Sequence, residues 1–146
     1  MSHLLSAVNA AASALDAQRV RMEVAVSNMA NAESTKSADG KPYRRRDVML
    51  EATQPDAFGA ALSSAADPGG ASGVKVSAVL EDQKPFKRLY QPTHPDAGPD
   101  GYVEMPNVDV PEEMVNLLGA ARAYQANLSA IGLIRDTVQK ALELAK

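Results

Sequence analysis

A chain of 146 residues with a net charge of −3, only 4% aromatic residues, no Trp and no Cys has room for one domain, or one domain with a lobe. It excludes disulfides, thiolate metal sites and thiol nucleophiles. Its 45% hydrophobic content is rich in alanine, which suits close helix–helix packing better than a large self-contained core.

The first element is set by a seven-residue repeat. Val8, Leu15, Met22 and Met29 recur at that interval, and Leu5, Ala12 and Val26 lie three residues before Val8, Leu15 and Met29; Arg19 is the polar residue on that second row. The spacing predicts an amphipathic helix from Ser2 to about Asn31, roughly 40 Å long. It closes in Asn28-Met29-Ala30-Asn31-Ala32-Glu33-Ser34-Thr35, a poor helix interior and a good helix exit. The N-terminus lacks the basic and compact apolar regions of a cleaved secretory signal, and no apolar run is long enough to span a membrane as a helix.

Asp39-Gly40 marks a turn, and residues 42–50 read as extended. Arg44-Arg45-Arg46 raises nucleic acid as a partner. Against it stand the net acidic charge, the lack of a second basic cluster and the lack of aromatic interleaving beyond Tyr43. On a strand only Arg44 and Arg46 would share a face. Residues about 54–72 are rich in Ala, Ser, Gly, Pro and Asp and are expected to be poorly ordered, or ordered only by a neighbour.

From Gly73 the period changes. Val74, Val76, Ala78 and Leu80 alternate with Lys75, Ser77 and Val79, a half-buried strand. Phe86–Tyr90 resumes as a strand with Phe86, Arg88 and Tyr90 on one face. Residues 91–101 hold three Pro and two Gly and form a structured or clamped loop, and Tyr102–Met105 is a last short strand. His94, Asp96 and Asp100 make the one constellation that resembles a metal or catalytic site. The other ligands such a site needs are missing, so these groups are read as satisfying loop backbone. No phosphate-binding loop and no nucleophile–base spacing occurs. The chain is read as non-enzymatic, without cofactor or metal.

Asp109 and Glu112 have capping-box spacing, and Pro111 sits where a missing N–H costs little. From there Met114, Leu117, Ala121, Tyr124, Leu128, Ile131, Val138, Leu142 and Ala145 form a heptad seam broken once at Arg135. This predicts a helix over 111–146, on the order of 50 Å long. Both terminal helices are net neutral, and the middle carries the whole charge of −3. Such weakly charged helices point to contacts on more than one face.

The fold class that follows is α+β. Long N- and C-terminal helices (1–35 and 111–146) pair as an antiparallel, coiled-coil-like inner domain, and residues 36–110 form a small antiparallel β lobe of three or four strands. A plain helical hairpin, or a self-contained soluble coiled-coil adaptor carrying a β lobe, fits the same periodicity.

Three stretches together resemble the flagellar axial rod protein family. Ser27–Thr35 is similar to the family's N-terminal motif. Glu113-Met114-Val115-Asn116-Leu117 with Ala121-Arg122-Ala123-Tyr124-Gln125-Ala126-Asn127 is similar to its C-terminal motif. Pro85–Tyr90, His94-Pro95-Asp96-Ala97, Gly101-Tyr102-Val103 and Met105–Asp109 resemble one proximal-rod member in particular. The order Val110-Pro111 departs from that pattern and bears on where the second helix starts.

The resemblance implies a structural subunit of the bacterial flagellar basal body. Its terminal helices would pack helically into a hollow proximal rod that crosses the periplasm and transmits torque from motor to hook. It implies export through the flagellar type III apparatus without signal cleavage. The implied partners are further copies of the chain, the rod proteins FlgB, FlgF and FlgG, and the adaptor FliE. Val8, Leu15, Met22 and Met29 are expected to pack against Leu117, Tyr124, Leu128, Ile131, Val138 and Leu142, with Met114 on the same seam. Asn28, Asn31, Arg122 and Asn127 are the polar residues beside it, expected to fix register through hydrogen bonds.

Overall fold

A run of 29 residues without Gly or Pro, Ser2–Ala30, forms helix α1. Its exit is stitched by short-range bonds. The Asn31 backbone N–H and side-chain amide both donate to Ser27 O, at 3.2 and 2.8 Å, and Ser34 Oγ donates to Asn31 O at 2.9 Å. Helix α2 spans Val110–Leu144, 35 residues. It begins one residue before Pro111, and its first turn closes through the Glu113 N–H on Asp109 O at 3.0 Å. Proline therefore occupies the first turn, where it breaks no helical bond.

The computed structural model describes residues 2–37, 40–53 and 73–144, so the loop expected at 54–72 lies outside the described residues. Within them the fold is α+β: two long terminal helices packed together, with small antiparallel strand pairs between them in sequence. The residues after α1 run into β1 (Arg46–Ala52), which pairs with β2 (Val74–Glu81). The pair is closed by Thr53 N–H on Gly73 O at 2.7 Å and Asp82 N–H on Arg45 O at 2.8 Å. In β2 the half-buried alternation holds from Val74 to Ala78 and then stops, leaving Val79 and Leu80 both exposed.

A second pair, β3 (Lys87–Tyr90) and β4 (Tyr102–Met105), sets Lys87 opposite Met105 and Tyr90 opposite Tyr102. The two tyrosine rings meet edge to face at 5.2 Å. The connecting loop is stitched by its own backbone: Gln91 N–H to Gly101 O, His94 N–H to Gln91 O, Ala97 N–H to His94 O and Gly98 N–H to Tyr102 O. Gly101 turns at φ +76, and a Cβ there would stand 2.8 Å from the Tyr90 ring. The three or four strands expected are four among the described residues, grouped as two two-stranded sheets. Among the described residues, ladder bonds join β1 to β2 and β3 to β4.

The chain divides into two compact units. One comprises Met1–Val20, Leu50–Ser77 and Ala120–Lys146; the other comprises Arg21–Met49 and Ala78–Gly119. The start of α1 thus shares a unit with the later part of α2, and the end of α1 with the beginning of α2, so the helices run antiparallel. In the first unit the buried residues among those described are Ala17 and Ala120. Ser13 Oγ there donates to Ala10 O at 2.8 Å and accepts the Val74 N–H at 3.0 Å, which ties α1 to the start of β2. In the second unit Ala25, Val103, Pro106 and Val108 are buried together with two polar side chains, Asn28 and Glu113.

Candidate assembly site

Asn28 lies two residues before the end of α1, on the face turned inward, and is 0% exposed. A buried amide needs partners for a carbonyl and two N–H groups. Asn28 finds all of them. Its Oδ1 accepts the Arg46 N–H at 3.0 Å and the Tyr43 hydroxyl at 2.9 Å. Its Nδ2 donates to Arg46 O at 2.8 Å and to Glu113 Oε2 at 2.9 Å. One side chain therefore clasps both backbone groups of the first residue of β1 and holds α2 at the same time.

Glu113 is 2% exposed. A buried carboxylate is costly unless a cation and hydrogen bonds accompany it. Arg45 supplies the cation: its Nε lies 2.8 Å from Glu113 Oε1, and its side chain is 14% exposed. Burial works against the guanidinium charge and is the largest single influence. The Glu113 hydrogen bond and the charges of Glu113, Asp47 and Glu112 together outweigh it and hold the Arg45 pKa above its usual value. The Arg45 backbone N–H donates to Asn107 Oδ1 at 2.9 Å, which adds the β4–α2 connection to the junction. Four separate segments thus converge on Asn28, Glu113 and Arg45.

The three consecutive arginines divide their work. Arg45 turns to Glu113, while Arg44 lies 4.5 Å over the Phe86 ring and Arg46 5.6 Å over the Tyr43 ring. Arg44 Nη1 also donates to Asp82 O at 3.1 Å. The Pro-rich loop is clamped to the segment after α1, where Thr35 Oγ1 donates to Asp96 Oδ2 at 2.7 Å and Lys36 Nζ bonds Asp96 Oδ1. His94 Nδ1 accepts the Asp96 N–H at 3.1 Å, and Asp100 pairs with Arg88. No group of three or more His, Cys, Asp or Glu side chains among the described residues could hold a metal ion.

The heptad residues fall into two sets. Val8, Leu15, Met22 and Met29 on α1, and Leu117, Tyr124, Ile131 and Val138 on α2, are half-buried. Met114, Leu128 and Leu142 are exposed. Of the four polar residues beside the seam, Asn28 reaches another element. Asn31, just past α1, and Asn127, within α2, each donate to the carbonyl four residues back, at 2.8 and 2.9 Å, and Arg122 is exposed. Arg45, Glu113 and Tyr43 escaped the periodicity argument. Glu112 and Glu113 are adjacent acids in the first turn of α2, and burial separates them. The signal that could have found Glu113 is a carboxylate in a first helical turn on the same face as a seam.

Residues 100–144, which hold β4 and the whole of α2, match the family model described as Flagellar basal body rod FlgEFG protein C-terminal. With the paired terminal helices and the strand pairs between them, this defines a rod protein of the flagellar basal body. Over nearly its whole length the chain is 44% identical to the flagellar basal-body rod protein FlgC of Bacillus subtilis (145 residues, 95% of this chain and 96% of the relative). It is 43% identical to that of Salmonella typhimurium (98% of each chain) and 35% identical to that of Aquifex aeolicus (100% of each). The chain belongs to the FlgC family and is a structural rod subunit of the flagellar basal body.

Proposed function

We propose that the chain builds the proximal rod by packing helically with further copies and with neighbouring rod proteins, as part of a hollow shaft that crosses the periplasm and carries torque from motor to hook. In this reading 1–35 and 111–146 form the axial inner domain and 36–110 the outer lobe. FlgB, FlgF, FlgG and the adaptor FliE are its neighbours. The flagellar type III apparatus exports it without signal cleavage. It carries out no catalysis, binds no nucleic acid and does not insert in the membrane.

The observation that carries the reading is the apolar surface that α2 leaves in water. Val115 is 69% exposed and Leu133 68%, with Met114, Leu118, Leu128 and Leu142 also exposed. Large apolar side chains repeated along a helix of 35 residues are the mark of a surface that neighbouring chains cover. The seam residues Val8, Leu15, Met22, Met29, Leu117, Tyr124, Ile131 and Val138 join the helices inside a subunit, and the exposed ones join subunits.

Val115→Asp and Leu133→Asp test this, because neither substitution disturbs a buried position. Each variant is expected to be made and exported but to be missing from purified basal bodies, with motility lost in soft agar. Incorporation at the wild-type level would overturn the reading. So would a purified wild-type chain that forms one discrete oligomer with both helices strongly protected from hydrogen exchange, the behaviour of a self-contained adaptor.

A further inference from the structure

The junction contains an asymmetry that helix periodicity does not explain. Asn28 and Glu113 belong to the two helices, but the cation that makes Glu113 tolerable inside the protein belongs to neither. Arg45 stands in the residues that lead into β1, and its place is fixed because Asn28 grips the N–H and C=O of the next residue, Arg46. The Asp82 N–H on Arg45 O and the Arg45 N–H on Asn107 Oδ1 hold its backbone from both sides.

We infer that residues 43–46 act as a gate on the pairing of the end of α1 with the start of α2, with Arg45 as the positioning residue that admits Glu113. The dependence of one contact on the next follows from the geometry. Asn28 clasps Arg46, which aims Arg45. The first turn of α2 buries its carboxylate against Asn28 Nδ2 and the Arg45 Nε so placed, at 2.9 and 2.8 Å. Without Arg45 the same closure would bury an uncompensated charge.

The gate also sets register. Sliding α2 by one turn presents Asn116 or Leu117 to Asn28 and takes from Arg45 the buried carboxylate that it faces. Sliding it by one residue presents Glu112 or Met114 from a different face of the helix. A helix pair built largely on alanine and half-buried apolar residues has little else to tell one register from the next, and a buried polar group is a known way to select one. The tie to assembly rests on the proposed function, since a rod subunit with slipped helices presents the wrong faces to its neighbours.

The test compares Arg45→Met with the double variant Arg45→Met, Glu113→Gln. The readout is the number of copies of the chain per purified basal body, measured by quantitative mass spectrometry. Arg45→Met is expected to lower incorporation at least tenfold. The added Glu113→Gln removes the stranded charge while its amide oxygen still accepts from Asn28, and it should recover at least half of the wild-type level. Arg45→Met incorporating like wild type would overturn the inference. So would a double variant no better than the single one, because a residue that matters only by filling space cannot be rescued by neutralising its partner. Wild-type incorporation is the control on the proposed function, so a failed rescue counts against the gate alone.

Discussion

Residues 21–49 with 78–119 and residues 1–20 with 50–77 and 120–146 form two compact units, and they bury different kinds of side chain. In the former, the inside holds Asn28 and Glu113 beside Val103, Pro106 and Val108, with Arg45 closing the set. In the latter, the buried residues among those described are Ala17 and Ala120, and the tie between elements is Ser13 Oγ on the Val74 N–H. A polar junction is demanding: each group must find its partner or the structure does not close, so it specifies one arrangement. Alanine packing is permissive. It lets two helix backbones approach, but it buries little area and leaves Leu128, Leu133 and Leu142 for something else to cover. One unit fixes its arrangement through polar partners and the other through alanine contacts, while α2 leaves apolar side chains exposed in both, Met114, Val115 and Leu118 in the former and Leu128, Leu133 and Leu142 in the latter.

The largest expected effect breaks the demanding side. Asn28→Ala removes a partner from Glu113 Oε2, the Tyr43 hydroxyl and both backbone groups of Arg46. Urea unfolding should show a loss of about 3 kcal/mol, from unsatisfied buried groups at about 1–3 kcal/mol each, reduced by water entering the gap. A loss below about 1 kcal/mol would mean that the junction is ornamental. On the permissive side, Ala120→Leu forces a large side chain into a position that is 0% exposed. Overpacking of this kind costs about 1–3 kcal/mol. A neutral result by the same measurement would show that the helices spread easily at that point and that the contrast between the units is sharper than drawn.

A third substitution reads the β3–β4 hairpin alone. Gly101→Ala demands a Cβ at φ +76 and a contact of 2.8 Å with Tyr90. Roughly 1–2 kcal/mol of stability should be lost from the left-handed backbone conformation, with hydrogen exchange faster in 87–105 than elsewhere. Uniformly faster exchange would deny the hairpin its independence.

The smallest effect is one of pH. Hydrogen bonds from Lys36 and then Thr35, together with the Lys36 and His94 charges, hold the Asp96 carboxyl below its ordinary value against the opposing effect of desolvation. A carboxylate whose folded pKa is depressed contributes stability above its unfolded value and loses it as the pH falls through the folded one. The tie between Thr35–Lys36 and the Pro-rich loop should therefore loosen only in acid, below the usual aspartate range. The Thr35 and Lys36 amide resonances should report it, and Asp96→Asn should flatten the response. A wild-type transition at the ordinary aspartate value would contradict the clamp. Arg45 behaves in the opposite sense. Its raised pKa means that the Arg45 charge, and the stability it contributes, is kept until the pH climbs past the usual arginine value.

Much of the architecture was legible from spacing. The two helices appeared within two residues of their observed ends, since periodicity over many turns averages out single exceptions such as Arg19 and Arg135. The strand at Tyr102–Met105 was read with its observed bounds because Gly101 and Pro106 bracket it. The clamped character of 91–101 followed from its Pro and Gly content, but its anchor at Thr35 and Lys36 did not, because 60 residues separate Lys36 from Asp96. The four strands among the described residues fall within the three or four expected, and their grouping into pairs was not read. Alternation tells which residues are strands, whereas ladder partners depend on distant chain.

The sequence by itself determined the helices, the strands and the family, each of which is written in local periodicity or in contiguous motifs. Only the tertiary structure decided which polar residues matter. Glu112 and Glu113 are chemically identical neighbours, as are Arg44, Arg45 and Arg46. What singles out Glu113 and Arg45 is that a helix rotates each residue about 100° from the last and a strand about 180°, so one of each set points inward, to where Asn28 waits. That meeting joins positions 28, 45 and 113, and no local pattern can register it.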